Sequence, residues 1–443
     1  MKRRNILYVV LAVAAVAVTA LVVLLNAKGE GYVNVIPSKC KAFMAIDFPK
    51  LGDVKIDGIE NCGVDFSRKA YMFETDDGSL GIVAAVESED DVDGWLNGLA
   101  KSGKASKVTE RKGYKFSVIN DNFLLGYSSS AILVMGPVVA DGQAQLQRMM
   151  IKYLSSDKDA VSESQLYQYL ISMDAPLALV AQADALPDKL VTPLTLGAPK
   201  GTSPDRLHIA ATMDFSNECL TVRSHTFSLD KKIDNALRES LSNLRPLSDK
   251  YLSTISSDNL LTIACGVDGG NFVQLLRTNE SLRTMLMGIN TTIDIDKMLR
   301  GVDGDLIVGV PSVSGENLSL NLIADAKDLS WKEDVAYWKK SCPAGARIDD
   351  AGKNAWNITS KQFNACFGFT DDGLLYVVPN QSDIAAIGNK ASSPLSPEVL
   401  SKVKGSRFVA ILSIPVAIKQ TPELSVIQAF LPQLKTIVFL NEE

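Results

Sequence analysis

The chain begins with an apolar run that can cross a membrane only as a helix. The run extends from Ile6 to Leu25 and follows the basic residues 2–4. At about 1.5 Å per residue a helix of this length spans about 30 Å, which matches the hydrocarbon core of a bilayer. A helix also satisfies its own backbone hydrogen bonds, as a lipid environment requires. We therefore predict a transmembrane helix over residues 6–26.

Two cleaved alternatives fit the run less well. A secretory signal has an apolar stretch of about 7–15 residues followed by a small-x-small cleavage site. Here the run is longer, and cleavage after Ala27 would place Leu25 at position −3. A lipoprotein signal would place a cysteine directly after the run, but the first cysteine is Cys40, with Lys39 before it. The sequence favours a retained anchor over both signals.

The charges that flank the run predict its direction. Basic residues precede it, whereas only Lys28 and Glu30 follow closely. The positive-inside rule keeps residues 1–5 in the cytoplasm and exports residues 27–443. The protein is therefore expected to be a single-pass protein of the inner membrane with its bulk in the periplasm. The apolar segment Phe408–Ile418 is interrupted by Pro415, and we expect a buried strand there.

Composition indicates that the exported part is folded, and it argues against two classes of binding partner. Residues 27–443 exceed a typical single domain, so more than one globular unit is expected. A hydrophobic content of 46% with 22% charged residues is typical of a folded chain. A net charge of −6 argues against nucleic acid or anionic lipid as a partner, because both bind a basic face.

The chain repeats its order of predicted elements. Residues 78–137 and 317–379 each have the pattern of a strand, a helix with a tryptophan (Trp95 or Trp338), a polar connection and short strands that end at a proline. Residues 40–48 and 259–267 are the corresponding opening strands. This order predicts a tandem duplication, although two unrelated α+β domains remain the alternative.

Local signals support the same elements. Thr75–Gly78 and Thr370–Gly373 share the hairpin-turn sequence Thr-Asp-Asp-Gly. Ser162 with Gln165 predicts a capping box, and Ser396 before a proline predicts an N-cap.

We therefore predict an α+β fold, with two tandem units of mainly antiparallel sheet and packed helices after the transmembrane helix. The predicted units cover residues 32–228 and 258–443. A helical connector over residues 229–257 separates them, interrupted at Arg245-Pro246. We expect the second unit either to lack a strand that the first has or to leave a sheet edge open.

An even number of cysteines in an exported chain permits disulfides. The pairs Cys40/Cys62 and Cys342/Cys366 are the simplest, because each closes a loop of roughly 20 residues. The alternative is that several cysteines are small buried hydrophobic residues, as Cys265 in an apolar strand suggests. No CxxC motif is present.

Motifs for catalysis are weak. The only histidines, His208 and His225, are expected on one hairpin and have no metal-ligand spacing. No GxSxG sequence accompanies them, and Ser128–Ser130 is typical of a turn.

Two further segments resemble ligand sites without fitting them. Gly98–Ala105 approaches a phosphate-binding loop, but Ala105 replaces the hydroxyl residue and a helix precedes it, so Gly103 is expected to end that helix. The acidic run before Trp95 lacks the Glu that a calcium loop needs at its twelfth position, and favours an acidic first helical turn.

The segment Val35-Ile36-Pro37, with the following strand Ala42–Phe48 and Leu51-Gly52, resembles an uncharacterised family. Its members are exported, often lipid-anchored Bacteroidetes proteins catalogued as a domain of unknown function. The resemblance implies export and α+β units along most of the chain. The lipid-attachment cysteine of the family is missing here, and the family supplies no catalytic residues.

The sequence therefore predicts a membrane-anchored, periplasm-facing binding or scaffold protein of the cell envelope. We assign no catalytic, cofactor-binding or metal-binding residue, and we expect no cofactor. The alternative is an enzyme or carrier that acts on an envelope glycan, peptide or lipid in a cleft between the two units.

Overall fold

The structure, a computed structural model, describes residues 31–51, 61–155, 161–186, 191, 194–248, 250–314, 317–360, 364–422 and 432–441. The predicted anchor, residues 6–26, lies outside the described residues. Within the described ranges, no helix has the length and apolar character needed to cross a membrane. The chain divides into two compact units between Ala181 and Gln182.

The first unit combines a sheet with helices. Its strands are β1 (Cys40–Ile46), β2 (Ala70–Thr75), β3 (Leu80–Ala85), β4 (Thr109–Arg111), β5 (Tyr114–Ile119), β6 (Phe123–Tyr127), β7 (Ala131–Gly136) and β8 (Leu177–Gln182). Its α-helices are α1 (Glu89–Lys101), α2 (Ala140–Leu154) and α3 (Gln165–Ser172). Short 3-10 helices cover Gly31–Val35, Phe48–Leu51 and Val161–Glu163.

The strands of the first unit pair in the order β8-β1-β2-β3-β7-β6-β5-β4, and every pair is antiparallel. β6 and β7 are near-continuous apolar runs, as expected for strands that are buried on both faces of a sheet. On one face, Leu96 of α1 is fully buried against Tyr127 and Ile132. On the other face, the 3-10 helix Gly31–Val35 and α2 pack against β7. The N-terminal segment is thereby held on the sheet.

The second unit contains more strands and helices. Its strands are β9 (His208–Ser216), β10 (Cys219–Phe227), β11 (Leu244–Arg245), β12 (Leu261–Asp268), β13 (Val302–Ser314), β14 (Asn317–Ala326), β15 (Arg347–Gly352), β16 (Ala355–Thr359), β17 (Asn364–Phe369), β18 (Leu374–Val378), β19 (Phe408–Ser413) and β20 (Thr436–Asn441). Its α-helices are α4 (Lys231–Ser242), α5 (Gly269–Thr278), α6 (Glu280–Ile289), α7 (Ile295–Arg300), α8 (Val335–Ser341), α9 (Pro397–Val403) and α10 (Ile414–Gln420). Further 3-10 helices cover Ala183–Ala185, Pro204–Arg206, Leu252–Thr254, Ser330–Asp334 and Gln381–Ala386.

The strands of the second unit pair in the order β9-β10-β20-β19-β12-β13-β14-β18-β17-β16-β15. The pairing of β10 with β20 is parallel, and the others in this order are antiparallel. The larger core of the unit contains Trp331, which is 1% exposed and stacks on Trp338 at a centroid distance of 6.1 Å. Val399 of α9 and Ile255 lie in a second buried cluster.

These observations confirm the prediction of an α+β fold with mainly antiparallel sheet. The boundary between the compact units falls earlier in the chain than the predicted end of the first unit at residue 228. The reason is that β10 pairs with β20, so residues 208–227 complete the sheet of the second unit. The same pairing covers the edge of β20 that we expected to be open.

Two local predictions were wrong in detail. Ser164, and not Ser162, caps α3, because its hydroxyl accepts the backbone N–H of Tyr167. The predicted strand over Phe408–Ile418 ends at Ser413, where α10 begins with Pro415 in its first turn, a position that needs no N–H donor. The predicted N-cap at Ser396 is confirmed.

Candidate functional site

A surface groove with a volume of about 430 Å³ lies in the first unit where three segments meet. The segments are the chain before β1, the turn between β2 and β3, and the last turn of α2. The lining residues are Asn34, Val35, Ile36, Pro37, Ser38, Lys39, Thr75, Asp76, Asp77, Lys152 and Tyr153. We name it the Lys39–Lys152 groove.

The chain before β1 forms one wall because its apolar residues are buried. Tyr32, Val33 and Ile36 are at most 5% exposed, and the Tyr32 hydroxyl donates a hydrogen bond of 2.7 Å to the carbonyl oxygen of Lys69. Burial of these side chains stabilises the segment on the sheet by the hydrophobic effect. Lys39, which follows the buried stretch, is consequently left exposed at the rim.

The turn between β2 and β3 forms the second wall. The N–H of Gly78 donates to the carbonyl oxygen of Thr75 at 2.9 Å, and Gly78 has φ +79°, a conformation that favours glycine. The Thr75 hydroxyl donates to the Asp77 carboxylate, which also accepts the N–H of Ser79 at 3.2 Å. The predicted hairpin turn is confirmed, and its fixed geometry leaves Asp76 exposed at the tip.

The groove contains side chains of both charges. Among the described residues, no ion pair is formed by Lys39, Lys152 or Asp76, and all three are exposed. The Thr75 hydroxyl, which donates to the Asp77 carboxylate, holds the pKa of Asp77 below its usual range. The groove therefore offers two ammonium groups and one uncommitted carboxylate to a ligand.

Two groups beside the rim are kept neutral by their surroundings. Burial raises the pKa of the Tyr153 phenol, and the nearby Asp77 carboxylate adds to the effect. Burial likewise raises the pKa of the Cys40 thiol, with Asp76 contributing. Cys40 donates a hydrogen bond of 3.2 Å to the carbonyl oxygen of Pro37. Since the thiolate is the reactive form of cysteine, we assign Cys40 a structural role beside the groove.

A second groove of about 280 Å³ in the same unit has no charged lining residue. Two of its amides already have protein partners. Gln143 donates to the carbonyl oxygen of Asp121 at 3.1 Å, and Gln147 accepts from Arg111 at 2.9 Å. The second groove therefore has less to offer a polar ligand.

The predicted Cys40/Cys62 pair is not favoured by the fold. All six cysteines are thiols in the structure. Cys40 pairs with Thr75 at the end of β2, whereas Cys62 lies just before the bridge between Val64 and Val86, past the end of β3. Because β2 and β3 are antiparallel, these positions lie at opposite ends of β2, about 17 Å apart at about 3.3 Å per residue. A disulfide spans a Cα separation of at most about 7 Å.

The predicted Cys342/Cys366 pair is separated by a sheet. Cys366 is buried with Tyr376 and Val378, whereas Cys342 packs against the cluster that contains Phe367. Successive residues of a strand point to opposite faces, so Cys366 and Phe367 face away from each other. Both pairings stay predictions that this arrangement does not favour. Cys265 is 2% exposed, and burial raises the pKa of its thiol to about 12, in line with a small buried hydrophobic residue.

The two histidines lie on the hairpin of β9 and β10, as predicted. His208 pairs in register with Phe227, and His225 with Ala210. His208 is 4% exposed, and burial lowers the pKa of its imidazole. Among the described residues, no group of three or more His, Cys, Asp or Glu side chains could hold a metal ion.

The segment that approaches a phosphate-binding loop is a helix end. Gly103 has φ +73°, and its N–H donates to the carbonyl oxygen of Ala100. The next N–H, of Lys104, donates to the carbonyl oxygen of Leu99, which completes a Schellman motif. At the other end, Ser88 caps α1 ahead of three acidic residues. The prediction of an acidic first turn and a terminating glycine is confirmed.

A polar network in the second unit joins β9 and β10 to α9. The Lys402 ammonium donates to Ser216 at 2.5 Å and to Thr221 at 2.9 Å, and it lies 3.5 Å from the Glu398 carboxylate. Ser216 and Asn217 donate in turn to Glu398. Because these groups satisfy one another, the network holds the hairpin against the helix and offers Ser216 no free base.

The sequence did not reveal the Lys39–Lys152 groove. The Thr-Asp-Asp-Gly turn and the Val-Ile-Pro segment were both visible, but as elements and not as parts of one site. Lys152 and Tyr153 carry no local signal, because their role depends on where α2 ends against the sheet.

The fold and groove define a mixed α+β protein built on antiparallel sheet. The chain belongs to the family described as a domain of unknown function, DUF4836, whose model matches residues 38–435. The match confirms the resemblance to a family of unknown function and includes most of the groove residues. No curated protein matches the chain.

Among solved structures the chain is similar to crystal forms I and III of TP0453, with identities of 7% and 8% and TM-scores of 0.25 and 0.21. Each comparison covers 80% of this chain and 96% of the other. Scores this low carry no argument about fold or function.

Proposed function

We propose that the protein is a membrane-anchored binding protein of the cell envelope, with its two units in the periplasm. The observation that carries the proposal is the apolar run Ile6–Leu25 after basic residues, which matches one membrane span. A single span with about 415 residues on one side is typical of a protein that presents folded units to one compartment.

The Lys39–Lys152 groove is the proposed binding site. It combines a concave surface with uncommitted charges, and recurring ligand sites place a few polar groups in such a concavity. The groove also begins at Asn34, close in sequence to the proposed anchor.

We also infer that the protein arose by tandem duplication. The order β8-β1-β2-β3-β7-β6-β5-β4 in the first unit corresponds to β19-β12-β13-β14-β18-β17-β16-β15 in the second. Helix α1 follows β3 as α8 follows β14, and α3 precedes β8 as α9 precedes β19. Two unrelated domains would have little reason to share a strand order of this length.

Protease access in spheroplasts tests the membrane proposal. The full chain, tagged at both ends, should resist extraction from membranes at high pH. External protease should digest the C-terminal tag and leave the N-terminal tag protected. A variant that lacks residues 2–26 should leave the membrane fraction.

A control variant carries an unrelated single span in place of residues 6–26 and should restore both properties. Release of the full chain at high pH, or protection of the C-terminal tag, would contradict the proposal.

A further inference from the structure

The two lysines of the groove come from separate parts of the chain. Lys39 precedes β1, and Lys152 lies in the last turn of α2, yet both line the same concavity. Neither forms an ion pair with another described residue. Two ammonium groups on one surface suit a phosphate group, which accepts several charge-assisted hydrogen bonds.

The acidic side of the groove has a different requirement. The Oδ1 atom of Asp77 accepts hydrogen bonds from the Thr75 hydroxyl and the Ser79 N–H, which hold this carboxylate in the turn. Asp76 beside it lines the groove without an ion pair among the described residues. Its carboxylate is therefore available to a cation on the ligand.

The charges of the groove sum to zero, because Lys39 and Lys152 balance Asp76 and Asp77. A bare anion would gain from the lysines but would be repelled by the carboxylates. A ligand with a phosphate and a nearby amine complements both, and complementary charge placement gives specificity. The Tyr153 hydroxyl, which stays protonated, is a further hydrogen-bond donor on the rim.

The proposed anchor limits how far the groove can lie from a membrane. Residues 27–30 separate the predicted span from Gly31, where the described segment begins. A chain of this length reaches at most about 18 Å when fully extended. Gly31 therefore lies within about 18 Å of the end of the predicted span, and the groove begins three residues later, at Asn34.

We propose that the Lys39–Lys152 groove binds a phosphate ester that carries a primary amine, as in the phosphoethanolamine head group. This inference rests on the proposed function, because it takes that groove as the binding site. The phosphate contacts Lys39 and Lys152, and the ammonium contacts Asp76. The same chemistry occurs in a lipid head group and in its soluble glycerol ester.

The test uses the full chain in phosphatidylcholine nanodiscs and phosphorus NMR titration with three soluble probes. The probes are glycerophosphoethanolamine, inorganic phosphate and glycerophosphocholine, which lacks N–H donors. We expect the first to bind at least about tenfold more tightly than the other two. Equal binding of all three would overturn the inference.

Matched variants separate the two halves of the ligand. The double variant Lys39→Gln, Lys152→Gln should lose at least about tenfold in affinity for glycerophosphoethanolamine. Asp76→Asn should weaken glycerophosphoethanolamine but not inorganic phosphate. Lys104→Gln, an exposed lysine of the same unit outside the groove, is the control and should change neither. Hydrogen exchange in α2 checks that each variant is folded.

Unchanged affinity in the double variant would overturn the inference, as would equal weakening of both probes by Asp76→Asn. Nanodiscs with and without phosphatidylethanolamine distinguish a lipid ligand from a soluble one. If the lipid head group is the ligand, nanodiscs that contain phosphatidylethanolamine should compete with the soluble probe. If the ligand titration fails but the protease experiment gives the expected topology, the proposed ligand is refuted and the membrane anchor stands. If the topology is wrong but the groove binds the probe selectively, the anchor is refuted and the ligand stands.

Discussion

Gly63 is the residue whose substitution should most strongly disturb the start of α1. It has φ +76°, and its carbonyl oxygen accepts the N–H of Glu87 at 2.8 Å. A Cβ at this position would lie against the carbonyl oxygen of Ser88 and 2.7 Å from the backbone nitrogen of Val92. Both neighbours are backbone atoms at the start of the helix, so neither can move away by a side-chain rotation.

The cost of Gly63→Ala has two parts. The left-handed conformation costs an alanine about 1–2 kcal/mol. Forcing a buried contact apart costs about 1–3 kcal/mol more. We therefore expect the free energy of unfolding of the first unit to fall by about 2–5 kcal/mol.

Two other glycines of the same unit are matched controls. Gly78 has φ +79° but open space around its Cβ position, so Gly78→Ala should cost only the conformational part, about 1–2 kcal/mol. Gly94 lies inside α1, exposed and with open space, so Gly94→Ala should stabilise by about 1 kcal/mol through helix propensity.

Hydrogen exchange read by mass spectrometry on peptides from α1 measures these changes separately from the second unit. The order of protection should be Gly94→Ala, wild type, Gly78→Ala, Gly63→Ala. The reasoning would be refuted if Gly63→Ala cost no more than Gly78→Ala, because the close approach to Ser88 would then be absent.

Other predictions concern thiols, pH and a buried carboxylate. Alkylation of the denatured chain without reduction should modify all six cysteines. In the native protein Cys342 should react first, because it is the least buried of the six. A disulfide-linked peptide that joins residues 40 and 62, or 342 and 366, would contradict the prediction of free thiols. Burial lowers the pKa of His208, so the folded state binds fewer protons at this residue than the unfolded state does. The contribution of His208 to the free energy of unfolding should therefore be fully present above about pH 6.5 and should be lost as the pH falls towards the lowered pKa. Urea midpoints from pH 7.5 to 5 measure this slope, which His208→Leu should reduce. Asp305 is 3% exposed and accepts from the N–H and hydroxyl of Ser248 at 2.9 and 2.6 Å, so Asp305→Ala should cost about 2–3 kcal/mol in urea unfolding. Ser248→Ala removes only the hydroxyl bond to the carboxylate and should cost about 1.5 kcal/mol, so equal costs for the two variants would contradict the account.

Features that depend on neighbours in sequence were predictable. The N-cap at Ser396, the turn ending at Gly78 and the helix end at Gly103 each rest on a few adjacent residues and their hydrogen bonds. The helices that carry Trp95 and Trp338 were visible for the same reason. At the start of α3, sequence spacing predicted Ser162 as the N-cap, whereas the structure uses Ser164. The position of the N-cap depends on where the preceding 3-10 helix ends, at Glu163.

The sequence by itself determined the apolar N-terminal run, the alternation of elements and the α+β class, since hydrophobic periodicity and capping are local. Only the tertiary structure decided that β10 pairs with β20, and hence that the compact units divide after Ala181. It also decided that Lys39, Asp76 and Lys152 line one groove. Strand pairing and groove formation join residues far apart in the chain, and their free energy comes from packing that no local pattern encodes.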